Sequence, residues 1–215
     1  MSVKLARGNK LENKSLATTN QKLAIREGVA TQADYVPHWN LETVKLIAEN
    51  TTNERDALLI QTIFDGCFRV GEALAISPQD IVTTGAGWLV RLESEKHNGE
   101  HTTAAISASI AAKLQAYAYR HSIKPDEPIF PIKRSRVFQI VEAAVNKAGV
   151  VKPAGVGMVH VLRHSGAIER LRVTGNPKAV QDQLRHKSAQ MTLRYMKTLS
   201  HDASMVIQQG VDFRW

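Results

Sequence analysis

A chain of 215 residues, 43% of them apolar, is long enough to bury a real core and reads as a soluble globular protein of one large domain or two small ones. A single cysteine, Cys67, excludes an internal disulfide framework, and no apolar run reaches transmembrane length or resembles a signal peptide, so the cytoplasm is the expected location. The net charge of +8 is uneven: residues 133–200 hold 13 Lys/Arg against 3 Asp/Glu, whereas 36–132 hold 8 against 12. Charge of that kind is either a solvated basic face or the footprint of a polyanion, and with only 6% aromatics a duplex-tracking groove fits better than a single-strand stacking platform.

Residues 1–35 are polar and read as an arm or tether, residues 36–200 as the folded domain, and 201–215 as a tail. Asn40 is placed to cap a helix over Leu41–Glu49, and Thr51 to Asn53 caps another running to Phe64, with Leu58, Leu59, Thr62 and Ile63 buried. The small residues from Gly66 to Ile76 predict close helix packing, with Arg69 and Glu72 able to pair across one turn before Ser77-Pro78 ends the helix. Three short strands are expected at Ile81–Thr83, Trp88–Leu92 and Thr102–Ile106, and Asn98-Gly99 marks a hairpin that carries Lys96. Ser107–Tyr119 is amphipathic and helical. A proline-marked connection through Ile129-Phe130 leads to a helix over Arg134–Ala148, with Val137, Phe138, Val141, Ala144 and Val145 as its core face and Gly149 as its stop. The tail has too many apolar residues, Met205 to Trp215, to stay in water, so it is expected to dock on protein.

The stretch from His160 to Tyr195 carries the chemistry. A helix would show His160, Arg163 and His164 on one face; Gly175-Asn176-Pro177 breaks it and starts the next, which ends at His186; Ser188 then caps a last helix with Tyr195 two turns in. Three histidines could also ligate zinc, but no Glu follows His160 as in a zincin, and Arg163 and Arg185 would repel a cation.

These residues resemble the tyrosine recombinase (phage integrase) family over roughly residues 37–200. Gly66 to Leu74 is similar to its first arginine box, Asp80-Ile81 to its Asp-Ile pair, Lys96 to its hairpin lysine, His160 to His164 to its second box, and Leu184-Arg185-His186 with Tyr195 to its third. Two departures stand out: the family usually has glycine where Cys67 and Arg185 are, both backbone-permissive positions. It also usually has a separate helical domain gripping the other face of the duplex, where here only residues 1–35 precede. The expectation is therefore either a naturally short recombinase or an accessory partner.

The resemblance implies an α+β fold, mainly helical with a small antiparallel three-stranded sheet. It implies a recombinase that cleaves and rejoins double-stranded DNA through a 3′-phosphotyrosyl intermediate, in integration, excision, inversion or resolution, as a homotetramer on DNA and a monomer when free. No metal, cofactor, ATP or membrane is implied. Tyr195 would be the nucleophile, and a phenol with a pKa of about 10 needs a base and a positive field to attack. Arg69 and Arg163 would hold the non-bridging oxygens in place of a metal, His160 would take the proton, His186 would donate to the phosphate, and Lys96 would protonate the leaving 5′-oxygen. Glu72 would support Arg69, and Arg134, Arg136, His164, Arg185, Lys187 and Arg194 are candidates for DNA contacts. A type IB topoisomerase shares this chemistry, and a cleavage-deficient DNA-binding regulator would share the fold.

Overall fold

A computed structural model describes residues 35–93, 101–186 and 188–210, with backbone alone at 93, 101 and 203–210. Residues Pro37–Met196 form one compact unit, and Tyr35, Val36 and the chain from Lys197 onward belong to a second.

Local chemistry sets most helix starts. Asn40 accepts from Thr43 N at 2.8 Å and opens α1 (Leu41–Glu49); Asn53 accepts from Asp56 N at 3.0 Å and opens α2 (Glu54–Asp65). After α2 the chain does not continue as helix. It turns through Cys67, whose φ of 51° is left-handed, and resumes only at α3 (Val70–Ala75) with Arg69 as N-cap. The turn is the correction to a continuous helix over Gly66–Ile76: it drives Phe68 fully into the core and leaves Arg69 at the surface. A 3-10 turn (Pro78–Asp80) leads to β1 (Ile81–Thr84), β2 (Gly87–Glu93) and β3 (His101–Ile106), an antiparallel sheet in the order β1-β2-β3. Its register pairs Ile81 with Val90 and Val90 with Ala104, so one face delivers Ile81, Val90, Leu92, Ala104 and Ile106 to the core.

Ser107 accepts from Ile110 N at 3.2 Å and opens α4 (Ala108–Arg120), and α5 (Arg134–Lys147) follows the buried Ile129-Phe130 link. On α5 the core positions are Val137, Ile140, Val141, Ala144 and Val145; Phe138, expected in the core, is 39% exposed. The heptad-like run of apolar residues is one wider than the buried stripe, and Ile140 takes the inward place. The central helix is α6 (Met158–Thr174), closed by Gly175 at φ 61°, and Asn176 and Pro177 start α7 (Pro177–Leu184). Packing of α6 on α2 needs Gly166: a Cβ there would lie 2.0 Å from the Phe64 carbonyl oxygen. Ser188 precedes α8 (Ala189–Gly210), which runs ten residues beyond Ser200 where a tail was expected. The apolar side chains of that tail, residues 1–34, and Lys96 and Lys187 lie outside the described residues. Within the second unit, Val36 N donates to Thr198 Oγ1 at 2.9 Å. No helix among the described residues is long and apolar enough to cross a membrane.

Candidate active site

Five segments of the Pro37–Met196 unit converge. The turn after α2 supplies Cys67 and Arg69, α3 supplies Glu72, α6 supplies His160, Arg163 and His164, the end of α7 supplies Arg185 and His186, and α8 supplies Tyr195.

Arg163 is the anchor. It is 4% exposed, and its fork donates through Nη1 to the Cys67 carbonyl and through Nη2 to the Leu184 carbonyl at 2.6 Å. It thus ties the first arginine loop to the end of α7, touching the chain beside two left-handed corners occupied by residues other than glycine, Cys67 at φ 51° and Arg185 at φ 53°. At both positions glycine would be the permissive residue. Each terminal nitrogen carries two hydrogens, so donors remain for an anion. Burial first, then the charge of Arg69, pulls the Arg163 pKa down to about 10, and Glu72 only partly offsets this.

Glu72 is a hub. Its Oε1 accepts from Arg69 Nη1 at 2.7 Å; its Oε2 accepts from the Arg69 backbone N–H at 2.6 Å and from Arg185 Nη2 at 2.6 Å, and lies 3.6 Å from Arg163 Nη1. Burial alone would raise its pKa, but Arg185, the Arg69 N–H and Arg163 outweigh burial and hold it below the ordinary carboxylate range. Three guanidinium groups share one carboxylate, which leaves the cluster cationic. Arg69, 47% exposed at its side chain, is the member presented outward.

Tyr195 is 3% exposed and sits between two imidazoles: the His164 ring meets it edge-on at 5.9 Å, and the His186 ring lies nearly parallel at 6.2 Å. His160, exposed, packs edge-on against His164 at 6.1 Å, so among the described residues the rings against Tyr195 are those of His164 and His186. The base expected at His160 is thus one ring removed from the phenol. Burial lowers all three histidine pKa values, His164 and His186 to about 4, with neighbouring arginines adding to the effect at His160 and His186. At His164 the Pro37 backbone works against burial, raising the pKa without restoring it. Burial pushes Tyr195 up to about 12 against the lowering charge of Arg163. At neutral pH the phenol therefore keeps its proton, and the imidazoles around it are neutral and able to accept one.

The remaining candidates are dispersed. Arg134 and Arg136 are exposed on the first turn of α5, and Arg134 is close enough to depress the His160 pKa. Arg194, half-buried, lowers the pKa values of both His164 and Tyr195. Arg185 turns inward instead of toward solvent.

Sequence reasoning missed Gln183. Its Oε1 accepts from Ala105 N at 3.0 Å, and its Nε2 donates to the Ala105 carbonyl at 2.8 Å and the Gly66 carbonyl at 2.9 Å. It completes the open edge of β3 as a strand would and ties it to the Arg69 turn. The available signal was a glutamine on the buried face of α7, in step with Val180 and Leu184. Arg170 reinforces the same junction, donating to the Asp65 carbonyl through Nε at 3.0 Å and to the Ala105 carbonyl at 3.2 Å.

Residues 36–201 match the phage integrase family. The chain is 30% identical over 149 residues to the tyrosine recombinase XerC of Methylobacterium sp. (strain 4-46), covering 66% of this chain and 45% of that protein. It thus spans about half the length of the relative it matches. Among solved structures it is similar to the XerH site-specific recombinase bound to difH substrate (TM-score 0.64, 19% identity, 79% of this chain and 53% of that one). It is also similar to the catalytic domain of bacteriophage HP1 integrase (TM-score 0.60, 20% identity, 80% and 94%). The fold, mainly helical with a three-stranded antiparallel sheet, is theirs.

Proposed function

Because the chain belongs to the phage integrase family, we propose that it is a site-specific DNA recombinase in which Tyr195 attacks a scissile phosphate and holds the 3′ end covalently. The observation that carries this reading is the placement of a buried phenol between His164 and His186, beside a cluster of Arg69, Arg163 and Arg185 that a single carboxylate leaves cationic. In-line attack needs permanent positive charge on the non-bridging oxygens and an acceptor for the phenolic proton, and both are at hand. Arg69, the exposed guanidinium, meets the phosphate first, and Arg163 follows with its free N–H groups. Tyr195 must be drawn outward to reach the phosphorus. On that path His160, at the outer end of the ring series, accepts the proton, while His186 donates to the phosphate. Lys96 protonates the 5′-oxygen. The energy of the broken ester is kept in the phosphotyrosine, so rejoining needs no ATP.

Arg134 and Arg136 at the exposed start of α5, with Lys187 and Arg194, contact flanking phosphates. The XerH relative bound to difH substrate and the Tn1549 transposon integrase in complex with a circular intermediate DNA support the reading of DNA, double-stranded, as substrate. Assembly as a homotetramer on DNA, with an accessory protein for the opposite face of the duplex, belongs to the same proposal.

The test is capture of covalent complexes from fragmented genomic DNA, with sequencing of the bound ends. The wild-type chain leaves adducts at 3′ ends; Tyr195→Phe leaves none yet binds DNA with affinity that falls steeply with salt. A Phe variant that still forms adducts, or a salt-insensitive complex, refutes the assignment. Steady relaxation of supercoiled plasmid without strand exchange would mark a topoisomerase instead.

A further inference from the structure

We infer that Arg185 is a positioning residue: by engaging the Glu72 carboxylate it keeps that carboxylate off Arg163, whose charge stays available to a phosphate. The inference rests on the phosphotyrosine reading above.

Arg185 is held on three sides. Its Nη2 meets Glu72 Oε2 at 2.6 Å, its Nη1 donates to the Gln183 carbonyl at 2.7 Å, and its guanidinium carbon lies 5.9 Å over the Phe68 ring. Its side chain is 10% exposed, so a DNA backbone passing over the surface would not reach it. It does this from a backbone at φ 53°, where any residue but glycine is strained. The same Glu72 oxygen stands 3.6 Å from Arg163 Nη1, too far for a hydrogen bond. Take Arg185 away, and Arg163 becomes the nearest cation not already bonded to Oε2. The carboxylate then closes on it, and the cluster loses one full charge at the side chain expected to clamp the phosphate.

The test uses the full-length chain with 15N-labelled arginine, titrated with inorganic phosphate while the Arg69 and Arg163 side-chain signals are followed by NMR. Arg185→Gln should weaken phosphate binding at Arg163 by about tenfold, and the Arg163 signal should shift even before phosphate is added. Arg185→Gly, which relieves the left-handed corner, should show the same loss and so separates the effect from misfolding. Glu72→Gln combined with Arg185→Gln should recover binding to within about threefold of wild type, because no carboxylate remains to neutralise Arg163. A structural role alone predicts no such recovery. Phosphate binding unchanged in Arg185→Gln, no recovery in the folded double variant, or a wild-type Arg163 signal that ignores phosphate would each overturn the inference. So would a duplex affinity that drops uniformly in Arg185→Gln with a salt slope lower by about one, the mark of a direct phosphate contact. A wild-type chain that forms no covalent adduct refutes the recombinase reading separately, since the phosphate titration needs no cleavage.

Discussion

Replacing Arg163 with lysine separates two jobs that the sequence alone assigned as one. The substitution keeps the positive charge but loses the fork that spans the Cys67 and Leu184 carbonyls. A lysine ammonium reaches one of those carbonyls, not both, which forfeits a hydrogen bond to a charged donor of about 2 kcal/mol. Its stronger hydration makes burial at a 4% exposed site somewhat costlier still. The expected loss is about 2–3 kcal/mol, equivalent to a fall in Tm of roughly 4–12 °C for a protein of this size. Urea unfolding followed by far-ultraviolet circular dichroism should show a lower midpoint with an unchanged slope. Arg69→Lys is the internal control. Its side chain is 47% exposed and its ion pair with Glu72 is near the surface, so stability should hardly move although cleavage is lost. If Arg163→Lys unfolds within about 0.5 kcal/mol of wild type, the fork is not a structural tie and the argument for Arg163 as anchor fails.

His164 and His186 titrate near 4 in the fold against an ordinary value of 6.5, chiefly because they are buried, so the unfolded chain binds more protons between those values. Stability should be full above about pH 6.5 and decline as pH falls toward 4; comparing urea midpoints at about pH 7 and pH 5 checks this, and His164→Gln should flatten the slope. Gly166→Ala would force a Cβ to within 2.0 Å of the Phe64 carbonyl oxygen, and should cost about 1–3 kcal/mol by the same unfolding assay; an unchanged midpoint would show that α6 can shift without penalty. Lys96→Ala should cleave ordinary DNA very slowly and recover much of its rate with bridging sulfur at the 5′ position, since a thiolate with a pKa near 8.5 leaves without an acid. Arg69→Ala should show no such rescue, and equal rescue of both variants would remove Lys96 from the role of general acid.

Most of the frame was legible in the chain because its signals are local. Asn40, Asn53, Ser107 and Asn176 each hold an amide three residues on, Gly175 and Pro177 mark one helix end and the next start, and alternation set three strands with Ile81, Val90 and Ala104 inward. Spacing also put Arg69 beside Glu72 and His160 beside His164, since neighbours three and four apart on a helix, or at its cap, must meet. Tertiary structure alone decided which of these cations is buried and which is presented. Arg163 rather than Arg69 is enclosed, because the turn at Cys67 swings Phe68 inward and Arg69 out, and no residue-to-residue spacing encodes that swing. Packing between distant segments likewise set His164 rather than His160 against Tyr195, left Phe138 outside, and brought Arg185 from the end of α7 onto a carboxylate on α3. Such contacts join residues far apart in the chain, 113 positions in the case of Arg185 and Glu72. Their partners depend on how whole helices sit on one core, which no local pattern in either segment determines.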